Sequence, residues 1–241
     1  IWVEHARIGN WFKKNPWKVW YEFWSSDSQV KIVTVSKKMF EDLNIKNVVV
    51  IPNAIEIKEF DKIHDAQVLP DMLLSSLRKF KLDIGFIGRL TEDKGIEIIL
   101  KLAENHPDVG FNLIGSGPLV HKLNIQNITN VPFMSREQIG AFLQNIDLFI
   151  LPATKTDPFG LVVLEALAAK CPTMISSLVG ICDYLKESEV EISSPENFIA
   201  NFALLIEDKK KLESLKANGY KCLDRFDVEK MYEQYIKLFD S

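Results

Sequence analysis

Ile84-Gly85-Phe86-Ile87-Gly88-Arg89-Leu90-Thr91-Glu92-Asp93-Lys94-Gly95-Ile96 is the stretch whose reading decides the fold. Its first four residues are apolar or small and read as a buried strand. Ile96, Ile99, Leu100 and Ala103 then recur at helical spacing. A polar turn with glycines at both ends joins the two. A strand, a short turn and a helix form the repeating unit of a parallel sheet. The same rhythm continues downstream. Gly110–Ile114 reads as a strand ending at Gly115, and Asn130-Val131-Pro132-Phe133 as a short one. Ile139, Phe142, Leu143 and Ile146 mark a helix, Leu148–Leu151 a buried strand, Leu161–Ala169 an apolar helix and Thr173–Ser176 a further strand. The strands are apolar throughout rather than alternating, so both faces of the sheet are covered. The expected fold class is α/β, a doubly wound parallel sheet.

Upstream the pattern is thinner. Lys31–Val35 and Val48–Ile51 are β-branched and read as strands, the second stopped by Pro52-Asn53. Ser36 is placed to cap a short helix running to Asp42 or Leu43. A helix is expected over Asp71–Phe80, and a domain boundary near residues 53–60. The last helix carries Val228, Met231, Tyr232, Tyr235 and Leu238 on one face.

Composition narrows the functional classes. The 241 residues are 47% hydrophobic and 26% charged, ordinary values for a chain with a sizeable core. The 29 basic and 33 acidic residues leave a net charge of −4, which argues against nucleic acid as a partner. No apolar run reaches the roughly 18 residues of a spanning helix. The start, Ile1-Trp2-Val3-Glu4-His5, has no signal-peptide layout and no initiator Met, so upstream residues are expected to be missing. Cys171, Cys182 and Cys222 are odd in number and form no Cys-x-x-Cys pair, which suits a reduced, cytoplasmic setting. His5, His64, His106 and His121 lack metal-ligand spacing, and no Asp-x-Asp triplet occurs, so no metal or other cofactor is expected.

Ligands of open parallel sheets bind beyond the carboxyl ends of the strands, so the residues after each strand matter most. After the first come Gly88, Arg89, Lys94 and Gly95. Arg offers a planar fork for phosphate oxygens and Lys a mobile point charge; a solvated charged loop is the plainer alternative. After the second comes Gly115-Ser116-Gly117-Pro118, either the start of a phosphate-binding turn or a tight turn needing positive φ. After the buried strand comes Pro152 to Ala166. Asp157-Pro158 reads as a helix cap followed by Pro at the first helical position. The free amides at Gly160 and Leu161 suit an anion. Glu165 lies within an apolar helix, so its carboxylate needs either a structural partner or a ligand's hydroxyl pair.

These blocks together resemble glycosyltransferase family 4, the retaining GT-B enzymes. The resemblance runs from about Lys31 to Phe239. It rests on Pro52-Asn53-Ala54, on Gly88-Arg89-Leu90 with Lys94-Gly95, on Gly115-Ser116-Gly117-Pro118, and on Asp157 and Glu165 separated by seven residues with Phe159-Gly160-Leu161 between them. The family usually has Glu at the position of Asp157, whose carboxylate reaches about 1.5 Å less.

The resemblance implies a Rossmann-like GT-B C-terminal domain over residues 56–226, preceded over 1–55 by part of an N-terminal α/β acceptor domain. A helix over 227–241 would cross back to that part. It further implies transfer of a sugar, with retention, from a UDP- or GDP-sugar to a glycan or lipid-linked acceptor. Arg89 and Lys94 would neutralise the diphosphate, and Asp157 with the Phe159–Leu161 backbone would hold sugar and phosphate. Glu165 would bind the ribose, Gly88 and Gly117 would line the donor, and the loop to Phe133 and Met134 would meet the base. His5 would be the active-site histidine. A non-catalytic nucleotide-sugar-binding subunit and a sugar-nucleotide epimerase are the alternative readings.

All five tryptophans fall within the first 24 residues. Trp17, Trp20, Tyr21 and Trp24 share one helical face near Lys13, Lys14 and Lys18. That stripe either packs on protein or makes the chain peripheral to a membrane surface.

Overall fold

The computed structural model describes residues 2–4, 23–26, 30–39, 47–61 and 68–240. The expected capping helix after Ser36 falls partly outside these. What is described there is a single 3-10 turn, Lys37–Met39. Strands β1 (Trp2–Glu4), β2 (Ile32–Thr34) and β3 (Val48–Val50) form a small parallel sheet in that order. Helices α1 (Ile57–Asp61) and α2 (Asp71–Ser76) then lead into the main sheet. α2 is shorter than its pattern suggests. The chain leaves it at Leu77, and Arg78 takes φ 65° so that its N–H can donate to the buried Asp83 carboxylate at 2.6 Å.

The main sheet comprises β4 (Asp83–Ile87), β5 (Gly110–Ile114), β6 (Ile128–Val131), β7 (Leu148–Leu151), β8 (Thr173–Ser176) and β9 (Glu191–Ser193). All neighbours are parallel, in the order β6-β5-β4-β7-β8-β9. β6 starts and ends two residues earlier than expected, because Ile128–Val131 pairs with Phe111–Ile114 before Pro132 stops the ladder. Helices α3 (Ile96–Asn105), α4 (Arg136–Gln144), α5 (Leu161–Ala168), α6 (Phe198–Glu207) and α7 (Lys209–Lys221) cover it.

The core follows from the apolar strands. Phe86, Phe111, Phe149 and Met174 are essentially inaccessible, as are Ile99, Phe142, Val163 and Leu164 from the covering helices. α4 is fixed at its start by a capping box in which the Ser135 hydroxyl accepts the Gln138 N–H. Cys171, Cys182 and Cys222 are unpaired.

After a 3-10 turn at Cys222–Phe226 the chain returns beside the small sheet as α8 (Val228–Phe239). The Ile55 N–H donates to the Phe226 carbonyl at 3.1 Å, and a cleft lined by Val49, Ile51, Gln234 and Leu238 sets α8 next to β3. The expected apolar face of α8 is only partly covered: Val228, Met231, Tyr235 and Leu238 are half-buried, while Tyr232 is 58% exposed.

Candidate active site at the switch point of the sheet

β4 is the first strand of the main sheet, and its two neighbours leave in opposite directions through the chain. This topological switch point, between β4 and β7, is where ligands of open parallel sheets bind in a crevice beyond the strands' carboxyl ends. Most of the strand-end residues singled out above lie along the loops around it.

Gly115 is required by its close approach to Gly88. A Cβ at Gly115, whose φ is 146°, would lie 1.9 Å from the Gly88 carbonyl oxygen. Leu90 is fully buried and locks the two loops together. Its N–H donates to the Ser116 carbonyl at 2.9 Å, its carbonyl accepts the Leu119 N–H, and a Cβ at Gly117 would meet that carbonyl at 2.5 Å. The glycines of Gly115-Ser116-Gly117 thus serve backbone packing at the rim of the crevice.

The two cations differ. Arg89 projects into solvent, 74% exposed, with its nearest carboxylate, Asp93, at 3.9 Å. Lys94 is mostly buried, and its ammonium is ion-paired with the buried Asp157 carboxylate. This pair spans the switch point. The Thr154 hydroxyl and N–H reinforce it by donating to the carbonyls of Glu92 at 2.7 Å and Asp93 at 3.0 Å.

Asp157 does not cap the following helix. Its carboxylate accepts the Lys94 ammonium and the Phe159 N–H, and its backbone pairs with Val179. The helix begins only at Leu161, with Gly160 at φ 86° as its N-terminal cap. One carboxylate oxygen serves the tertiary ion pair and the other the local turn bond. No side chain caps α5, and the N–H groups of Gly160, Leu161 and Val162 have no backbone carbonyl partner among the described residues. They form a donor cluster at the positive end of a helix.

Glu165 is half-buried one turn further on. Burial pushes its carboxyl above the ordinary glutamate range, and the Arg136 guanidinium opposes that shift. Arg136 itself is ion-paired to Glu59 at 2.7 Å and lies over the Phe60 ring. Of the two alternatives for Glu165, the structural partner is not seen: among the described residues its carboxylate has neither hydrogen bond nor ion pair.

Other expected residues divide. Phe133 projects from the loop after β6, 80% exposed, whereas Met134 is buried in the core and its side chain cannot face a ligand. The Phe159 ring is likewise core, packed on Tyr184 and Phe226, while Leu161 is exposed at the start of α5. His5, Trp17, Trp20 and Tyr21 lie outside the described residues; Trp24 is described and is 41% exposed. No described helix is long and apolar enough to cross a membrane, and no cluster of three or more metal-ligating side chains occurs among the described residues. Sequence reasoning missed Ser36 and Lys38, which reach the crevice from the small sheet. Nothing local marks them, because their partners lie on another sheet.

Residues 75–222 match the model of the glycosyl transferases group 1 family. The chain belongs to that family. It shares its α/β architecture with GT-B glycosyltransferases of known structure. HepE of Anabaena, solved in complex with UDP-glucose, aligns over 99% of this chain and 71% of its own length with a TM-score of 0.83 at 17% identity. The uncharacterized glycosyltransferase YqgM of Bacillus subtilis is 26% identical over 239 residues, covering 90% of this chain and 62% of the relative. A Campylobacter jejuni N,N'-diacetylbacillosaminyl-diphospho-undecaprenol alpha-1,3-N-acetylgalactosaminyltransferase is 26% identical over 196 residues, 77% of this chain and 52% of the relative. The group 1 chain thus spans only about half to three-fifths of the length of these two relatives.

Proposed function

We propose that this chain carries the donor site of a retaining glycosyltransferase that moves a sugar from a UDP- or GDP-sugar to a glycan or lipid-linked acceptor. The observation that carries the reading is the partnerless Glu165 carboxylate, one turn from the open amides of α5. A half-buried acceptor without a protein donor is costly, and a ribose diol supplies two O–H donors. The amides of Gly160, Leu161 and Val162 suit the diphosphate, and Arg89 can fold onto its oxygens. Phe133 offers an exposed ring to the base, as aromatic side chains do for nucleobases elsewhere. Sugar transfer breaks the bond between the anomeric carbon and the diphosphate oxygen, whose charge then grows. Arg89, Lys94 and the helix start are the groups that stabilise it, without a metal ion. That HepE was solved with UDP-glucose, and that the Campylobacter relative is named for a polyprenyl-diphosphate-linked acceptor, supports the choice of substrate classes.

The test is a melting-shift panel with UDP, GDP, ADP and their sugars. A nucleotide that binds the folded state at about 100 times its Kd adds about 2.7 kcal/mol of stability, a shift of several degrees. One of UDP or GDP should raise Tm in this way in the native protein and not in Glu165→Ala. An unchanged Tm with every nucleotide would sink the reading. Epimerised sugar nucleotide appearing without acceptor would replace transfer by epimerisation at the same site.

A further inference from the structure

Ser36 lies just beyond β2 in the small sheet and is fully buried. Its backbone is fixed, because the Thr34 hydroxyl donates to the Ser36 carbonyl at 3.1 Å. Its own hydroxyl donates to the Pro158 carbonyl at 2.5 Å, across the gap between the sheets. Pro158 follows Asp157, the residue that holds Lys94. The fit around this contact is tight. Gly180 packs there with no room for a side chain: a Cβ would lie 2.2 Å from the Pro158 carbonyl oxygen and 2.6 Å from the Ser36 hydroxyl. The Gly180 N–H donates to the Asp157 carbonyl at 3.0 Å. Two residues on, Lys38 pairs with Asp183 at 2.7 Å, both side chains mostly buried, which ties down the turn carrying Gly180.

We propose that Ser36 is a positioning residue for donor binding: it holds the Pro158–Phe159 peptide, whose N–H donates to the Asp157 carboxylate, and through Asp157 it sets the place of the Lys94 ammonium. The small sheet thereby controls the diphosphate end of a crevice built on the other sheet. This rests on the donor-site reading above. Losing the Ser36 hydroxyl leaves the Pro158 carbonyl buried without its donor, and the loop relaxes toward another partner. Asp157 moves with it and carries Lys94 away from the phosphates.

The experiment is a double-mutant cycle read as UDP and GDP affinity by calorimetry, with Tm recorded for each variant. Ser36→Ala should weaken binding of the better nucleotide about three- to tenfold. In a Lys94→Ala background the same Ser36→Ala change should have almost no further effect, because the group it positions is gone. Lys38→Ala, which breaks the neighbouring ion pair, should show the same dependence on Lys94 and serves as the second variant. A role in stability alone would give equal fold-changes in both backgrounds, and that result overturns the inference while leaving the donor site standing. Binding of neither nucleotide by the wild-type chain overturns both.

Discussion

Lys94 and Arg89 meet the crevice with different histories. Lys94 is mostly buried and already engaged by Asp157, whereas Arg89 stands in solvent. Replacing either by Ala should cut kcat/KM for transfer roughly a hundredfold or more, the usual cost of losing one charge-stabilising donor. The two variants should part on stability. Lys94→Ala strands the buried Asp157 carboxylate and lowers Tm; Arg89→Ala leaves Tm where it was. Glu165 gives a second test. The folded protein binds its proton more tightly than the unfolded chain does, so the ionised carboxylate costs stability above the ordinary glutamate range, and the cost disappears in acid. Glu165→Gln should therefore raise Tm at neutral pH by up to about 3 °C, with the gain fading toward about pH 4, while nucleotide affinity falls. Scanning calorimetry across pH, with and without UDP or GDP, checks both halves. Arg89 and Lys94 stand out in the sequence by residue type and strand-end position, and Glu165 as a carboxylate within an apolar helix. Met134 is flagged by neighbourhood alone. Sequence adjacency does not say which way a side chain points, and that of Met134 turns into the core.

At the scale of elements, the start of α5 matters most. Asp157-Pro158 has every local mark of a helix cap, yet the helix begins only at Leu161: the Asp157 backbone is bridged to Val179, and its carboxylate holds both the Phe159 N–H and Lys94, 63 residues away in sequence. β4, β5 and β7 were legible because they are largely apolar, whereas β9, Glu191-Ile192-Ser193, was not, because three residues with one apolar side chain carry no pattern. Nor was the order of the strands, since periodicity says nothing of which strand lies beside which. Gly160 shows how narrowly the element is built. It sits at φ 86°, and a Cβ would come within 2.5 Å of the Val179 side chain. Gly160→Ala should cost about 1–3 kcal/mol by denaturant titration and weaken nucleotide binding, because the amides at the helix start would turn away from their ligand. Full affinity in that variant would count against the helix start as the phosphate site.

The whole molecule depends on the place where the chain returns to the small sheet. The Phe226 ring closes on Phe159 and Tyr184, each centroid 6.4 Å from the next, while its carbonyl accepts the Ile55 N–H. This cluster lies behind the crevice and beside both crossings of the chain. Phe226→Ala should destabilise by about 3–5 kcal/mol, as buried aromatic truncations do, and should loosen the Phe159 segment at the site as well. Chemical denaturation followed by nucleotide titration measures the two effects separately.

The contact between Gly180 and Ser36 bears on how such proteins can be recombined. If halves of related transferases were exchanged to pair one donor specificity with a new acceptor specificity, the seam would pass through a space with no room for a methyl group. A hybrid would need glycine at position 180 and a residue no larger than serine at position 36, inherited together. Modularity in this architecture is thus conditional: the halves can be traded, but only between parents that agree on this pair.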